Sequence, residues 1–183
     1  LSPISEISGK LKIETTDDGY VLKIKSLRVK PVEEREYFVP VSSTLFVSDG
    51  DEVATGTQLA EGYMDPKDVI KILGIVEAQR YVVTEAQKVY EAQGIMINDK
   101  HFEVILRKMS DKVIVETVGD TSLIPGDFIT KTRFEEINSE ILSQGGEPGT
   151  ARQTILGVTK SSLFSDSWLS ASSFQETTKV LTE

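Results

Sequence analysis

The feature that most constrains this chain is a change of hydrophobic period at Asp65-Pro66. Before that point, apolar residues alternate one by one. Leu11-Lys12-Ile13 and Tyr20-Val21-Leu22-Lys23-Ile24 carry the period of a half-buried strand. Asp17-Asp18-Gly19 lies between them as turn chemistry, with Gly19 expected to supply a positive φ. Tyr37 to Val41 and Thr44 to Val47 continue the strand pattern. After Asp65 the spacing becomes that of helices. Asp65 is an N-cap with proline at the first helical position, and Asp68 suits the helix dipole. A short helix is expected to end at Gly74, and a longer one to run from about Ile75 to Gln93 and stop at Gly94. In the longer one, Ala78, Val82, Ala86, Val89 and Tyr90 form an apolar stripe. Asn98 caps a third helix whose Phe102, Ile105, Leu106 and Met109 share one face.

Strand character returns at 113–115 and 128–129, around a Gly119-Asp120 turn. A helix is expected over 135–142, closed by Gly145-Gly146, and 145–149 reads as a loop. The tail from Ile155 is rich in Ser and Thr, and Ser170 is placed to cap a last helix. The fold class is therefore α+β. We expect three parts: 1–62, 63–154 and 155–183.

Within the first part, Gly50-Asp51-Glu52-Val53-Ala54-Thr55-Gly56-Thr57-Gln58-Leu59 has the form G-D-x-V-x-x-G-x-x-L. It resembles the hairpin of lipoyl- and biotinyl-type barrel-sandwich folds, with Gly50 and Gly56 at tight corners and Val53 and Leu59 inward. The modified lysine of such carriers has no evident counterpart. Residues 1–62 are accordingly expected to be a small β barrel-sandwich-like part.

Self-sufficient chemistry is hard to assemble from these residues. There is no cysteine, which removes thiolate nucleophiles, disulfides and Cys-based zinc sites and fits a cytoplasmic setting. His101 is the one histidine, so a Ser-His-Asp triad or a two-His metal site has at most one imidazole available. A packed or hydrogen-bonded structural role is expected for it. Asp49, Asp51 and Glu52 lack the glycine and glutamate spacing of a calcium loop. Gly157 to Ser162 approaches a phosphate loop but lacks the glycine directly before Lys160. No apolar run nears the roughly 18 residues of a membrane span. A net charge of −9, without a long basic cluster, argues against strong phosphate-driven binding of nucleic acid.

Several stretches are more specific. Gln87-Lys88-Val89-Tyr90, Gln93-Gly94 and Ile97 to Ile105 resemble the pattern V-Q-x-V-Y-x-x-Q-G-V-x-I-N-D-K-H-I-E-V-I of the largest subunit, β′, of bacterial DNA-directed RNA polymerase. Leu156 to Leu163 is similar to that family's L-G-I-T-K-A-S-L. Ser173 to Glu183 differs from its S-F-Q-E-T-T-R-V-L-T-E only by Lys179 in place of Arg. Residues 1–62 match more loosely, chiefly at Ser5 to Gly9 and in the glycine hairpin.

The resemblance implies a jaw beside downstream DNA, followed by a clamp hinge called switch 1. Trp168, Ser170, Ser172, Ser173, Phe174 and Gln175 fall on that hinge. Arg152, Lys160 and Lys179 lie nearest it and are candidates for contact with the DNA backbone or another subunit. The expected partners are the remainder of β′, the β, α, ω and σ subunits, and downstream duplex DNA, weakly held. No membrane is implied. The implied setting is the cytoplasm and nucleoid, or a plastid if the subunit is split. The family's metal-binding aspartate motif and trigger loop are absent from these residues. No cofactor is therefore expected here, the polymerase magnesium being held elsewhere, and no catalysis is expected of the chain alone. The start at Leu1 and the end inside a helical pattern lead us to expect a piece of a longer polypeptide. The contrasting reading is a stand-alone interaction module with a carrier-like β domain. The flanking reading frame distinguishes the two.

Overall fold

A computed structural model describes residues 1–26, 33–165, 167 and 169. The fold is mixed α and β, and it divides into two compact units, Leu1–Tyr81 and Val82–Glu183. The expected hinge residues Trp168, Ser170, Ser172, Ser173, Phe174 and Gln175, together with Lys179 and the last helix, lie outside the described residues.

In the first unit, β1 (Gly9–Thr16), β2 (Gly19–Lys25), β3 (Glu34–Pro40) and β4 (Glu52–Val53) form an antiparallel sheet in the order β3-β2-β1-β4. The register pairs Leu11 with Ile24, Ile13 with Leu22, and Tyr20 with Val39. Residues directly opposite in a ladder point to the same face. One face thus gathers the alternating apolar positions, and Leu11, Leu22, Ile24 and Val39 join Val53, Leu59 and Ala60 in a buried core.

The glycine segment makes the two corners its spacing predicts, although its short strand β4 pairs with β1 and not with a strand of its own. Gly50 and Gly56 have φ of 88° and 87°, the region that side chains with a Cβ resist. Val53 and Leu59 are buried, as expected. Leu11 N–H donates to the Asp51 carbonyl and Gly50 N–H to the Leu11 carbonyl, fastening the hairpin to β1. Asp49 Oδ1 accepts from Ile13 N–H at 2.7 Å and Asp51 Oδ2 from Ser48 N–H at 2.8 Å. These acids shape turns. Gly19 has a different role from the one expected: its φ is not positive, and a Cβ there would collide with the Val39 carbonyl and the Phe38 ring. Close strand approach selects it, not turn conformation.

The helix α1 (Pro66–Leu73) begins as expected, with Asp65 accepting from Lys67 N–H at 2.8 Å, and stops at Gly74 with φ 93°. The next helix, α2 (Ile75–Glu91), ends two residues before the expected position, and the boundary between the units falls within it. Of its apolar stripe only Ala78 is buried, while Val89 and Tyr90 are exposed.

In the second unit, α3 (Asp99–Met109) is capped by Asn98, which accepts from Lys100 N–H at 3.1 Å. The Phe102 ring meets Tyr90 at 5.5 Å, and Leu106 is buried. Next come β5 (Lys112–Thr117), β6 (Phe128–Thr130), α4 (Lys131–Ser143), β7 (Thr150–Gln153) and α5 (Val158–Leu163). The three strands make an antiparallel sheet in the order β6-β5-β7. Two polar clamps hold the connection from α4 into β7. Asn138 exchanges a pair of hydrogen bonds with the Gly149 backbone at 3.0 and 2.9 Å, and Asp120 takes Glu147 N–H at 2.8 Å while its own N–H reaches the Glu147 carbonyl. The strand β7 and the helix α5 were not foreseen, and α4 starts four residues earlier than expected.

Candidate functional site

Two of the three cations singled out from sequence lie on described elements, and both belong to the β6-β5-β7 sheet region. Arg152 is on β7 and pairs across the ladder with Ile114 of β5. On the other side of β5, Phe128 of β6 pairs with the same Ile114. Phe128, Ile114 and Arg152 therefore form one row on one face of the sheet. At an interstrand spacing of about 4.8 Å, the two outer backbone positions are roughly 10 Å apart.

The second cation joins this row through an aromatic contact. Lys160 Nζ stands 5.1 Å from the centroid of the Phe128 ring, within cation–π range. Phe164 also packs on Phe128, the ring centroids 5.3 Å apart and the planes inclined by 44°. The helix α5 that carries Lys160 is pinned below. Leu156 N–H donates to the Met109 carbonyl at 2.9 Å, and Ser161 Oγ donates to the Lys108 carbonyl at 3.1 Å. Leu156 and Ser161 are buried, whereas Lys160 is exposed. The stretch that approached a phosphate loop in sequence is thus a short helix, with Gly157 at its N-cap.

Arg152 pairs with Glu116, its Nε 3.5 Å from Oε1 and both side chains more than half exposed. Exposed pairs of this kind contribute little and exchange readily for other partners. Arg152 and Lys160 are therefore available to an anion from outside while held in defined places. The arrangement can hold a phosphate or carboxylate against a sheet face. Among the described residues, no group of three or more His, Cys, Asp or Glu side chains is arranged to hold a metal ion. No helix of the described residues is long and apolar enough to cross a membrane.

His101 is not the packed residue its sequence neighbours suggested. It lies on the side of α3 away from Leu106, is exposed, and its ring makes no hydrogen bond with a described residue. Phe128 and Phe164, which position Lys160, were missed in sequence as site residues. The signal for them was slight: both are aromatic residues beside Gly- or Ser-rich stretches, with no helical or strand spacing linking them.

Comparison with known proteins supplies the class. Residues 6–164 match the family model described as RNA polymerase Rpb1, domain 5, and the chain belongs to that family. It is also similar along its length to proteins named DNA-directed RNA polymerase subunit beta'. The relative from Thermobifida fusca is 46% identical over 100% of this chain and 14% of its own length. That from Acetivibrio thermocellus is 48% identical over 100% of this chain and 16% of its own. A third, from Dehalococcoides mccartyi, is 45% identical over 98% and 13%. The chain spans about one seventh of the length of these curated relatives.

Proposed function

We propose that these 183 residues are a segment of the β′ subunit of a bacterial DNA-directed RNA polymerase, serving as the jaw beside downstream duplex DNA and as the start of the clamp hinge. The observation that carries this reading is the unbroken similarity to β′ subunits over the whole chain. The segment is mechanical. The polymerase's bond-making groups and its magnesium are held in other parts of the subunit, and the chain alone does not polymerise nucleotides.

Residues 1–62 act as a small barrel-sandwich-like body. Support comes from the antiparallel sheet, the docked glycine segment, and the bridge between Ile4 and Gln58, which draws the start and end of the segment together. Arg152 and Lys160 contact DNA phosphates or a neighbouring subunit, with Lys179 in the same role. Trp168, Ser170, Ser172, Ser173, Phe174 and Gln175 form the switch 1 hinge, where a few residues absorb backbone rotation. The partners are the rest of β′ and the β, α, ω and σ subunits, in the cytoplasm at the nucleoid.

A jaw must let DNA slide. Each phosphate neutralised by a cation adds to salt-dependent grip, and a net charge of −9 keeps such contacts few. The test is removal of this segment from the full subunit. The polymerase should then fail to assemble or lose its hold on downstream duplex; full transcription without the segment overturns the proposal.

A further inference from the structure

The solvent side of α3 departs from the acidic character of the chain. At 3.6 residues per turn, Arg107, Lys100, Val104, Lys108 and His101 follow one another around an arc of roughly 120° opposite the buried Leu106. All five are exposed, Val104 to 70%. The helix's acids, Asp99 and Glu103, are also exposed but lie outside this arc, Glu103 about 40° beyond Arg107. Ile105, 51% exposed, borders the arc next to His101.

Ordinary helix electrostatics explains only part of this. Arg107 and Lys108 in the last turn complement the helix dipole, and Lys108 Nζ also meets Asp111 Oδ2 at 2.7 Å. Lys100 is in the first turn, where a cation opposes the dipole. No hydrogen bond or ion pair with a described residue engages the side chains of Lys100, His101 or Arg107. Val104 in their midst gains nothing from water.

We propose that this face of α3 docks an acidic protein segment bearing an apolar side chain that covers Val104. A protein interface has this anatomy, an apolar centre with charged and polar groups around it. Charge complementarity sets the sign of the partner, because this arc is cationic in a chain of net −9. A nucleic-acid backbone would satisfy the cations but leave the valine uncovered, so protein is the occupant. The proposal rests on the subunit reading above for its setting: the acidic segment belongs to the assembled polymerase.

The experiment places a photo-crosslinking residue at Val104 in the full-length subunit, within assembled polymerase, and identifies the captured peptide by mass spectrometry. A second probe at Lys100 covers the possibility that the Val104 substitution blocks assembly. The expected result is capture of one polymerase peptide with Asp or Glu flanking an apolar residue. Lys100→Glu with Arg107→Glu should lower the yield on the order of tenfold or more. Changing the captured acids to Lys should restore it. Capture of nucleic acid, capture of a peptide without acids, or no adduct in an active polymerase overturns the docking proposal alone. Failure of the unsubstituted segment to support an assembled polymerase brings down the subunit reading and this proposal with it.

Discussion

Phe128 and Arg152 flank Ile114 in a single cross-sheet row, so two strands distant in sequence place an aromatic residue and an arginine on one sheet face, one to either side of Ile114. Lys160 enters from α5 and is held over that ring. The cations are positioned by the sheet and by Phe128, and their energetic coupling is measurable.

A double-mutant cycle combining Lys160→Met with Phe128→Leu should give a coupling of about 0.5–1 kcal/mol, the range for an exposed cation–π contact. Chemical denaturation of the four proteins reads it. Strict additivity would mean that the ring does not hold the ammonium.

The glycine hairpin allows a cleaner comparison. Gly50 and Gly56 share nearly the same positive φ, but a Cβ at Gly50 meets open space and one at Gly56 meets the Leu73 side chain. Gly50→Ala should cost roughly 1–2 kcal/mol from backbone strain alone. Gly56→Ala should cost more, and trimming Leu73 to Ala should reduce that excess. Thermal or urea unfolding distinguishes the two contributions.

Asn138 offers both its amide groups to the backbone of Gly149, which is buried. Asn138→Ala removes both partners and should destabilise the second unit by roughly 1–3 kcal/mol. Amide hydrogen exchange should quicken first along β7, which the clamp leads into.

On the first sheet, Lys23 Nζ bonds Glu14 Oε2 at 2.8 Å. That bond, aided by Lys12, holds the Glu14 carboxyl below its ordinary range, and Glu14 in turn raises the Lys23 ammonium. The signs follow from linkage. Glu14's contribution is present above the usual carboxylate value and lost as pH falls through its lowered one. Lys23's contribution is present below the usual lysine value and lost as pH rises through its raised one. Glu14 is partly exposed and Lys23 half-buried, so the direct readout is an NMR titration. The Glu14 midpoint should return towards an ordinary glutamate in Lys23→Met; an unmoved midpoint rules the pair out as the cause.

How far the sequence disclosed this molecule depended on local chemistry. Asp65-Pro66, Gly74, Asn98, Gly50 and Gly56 each impose a backbone conformation by themselves, and the structure places caps and turns at those residues. The strand Thr150–Gln153 carries no apolar alternation: it is an edge strand chosen by pairing with β5. The helix Val158–Leu163 is built from β-branched and hydroxyl residues and holds through its contacts with α3. The early start of α4 at Lys131 follows Thr130, a capping residue type whose side chain makes no cap hydrogen bond there, directly after β6. Of the candidate site, Arg152 and Lys160 were proposed from their nearness to the expected hinge, and the contact of Lys160 with the Phe128 ring was not legible. A cross-sheet row has no signature in linear spacing.

The central claim is that this segment grips DNA lightly through a few cations and performs no chemistry. The measurement is the salt dependence of downstream-duplex binding by assembled polymerase, with and without Arg152→Ala and Lys160→Ala. The logarithmic salt slope should become shallower by about 0.9 for each cation that meets a phosphate, while nucleotide addition on a bound template stays unchanged. An unaltered slope, or a collapse of nucleotide addition at saturating template, would contradict the account.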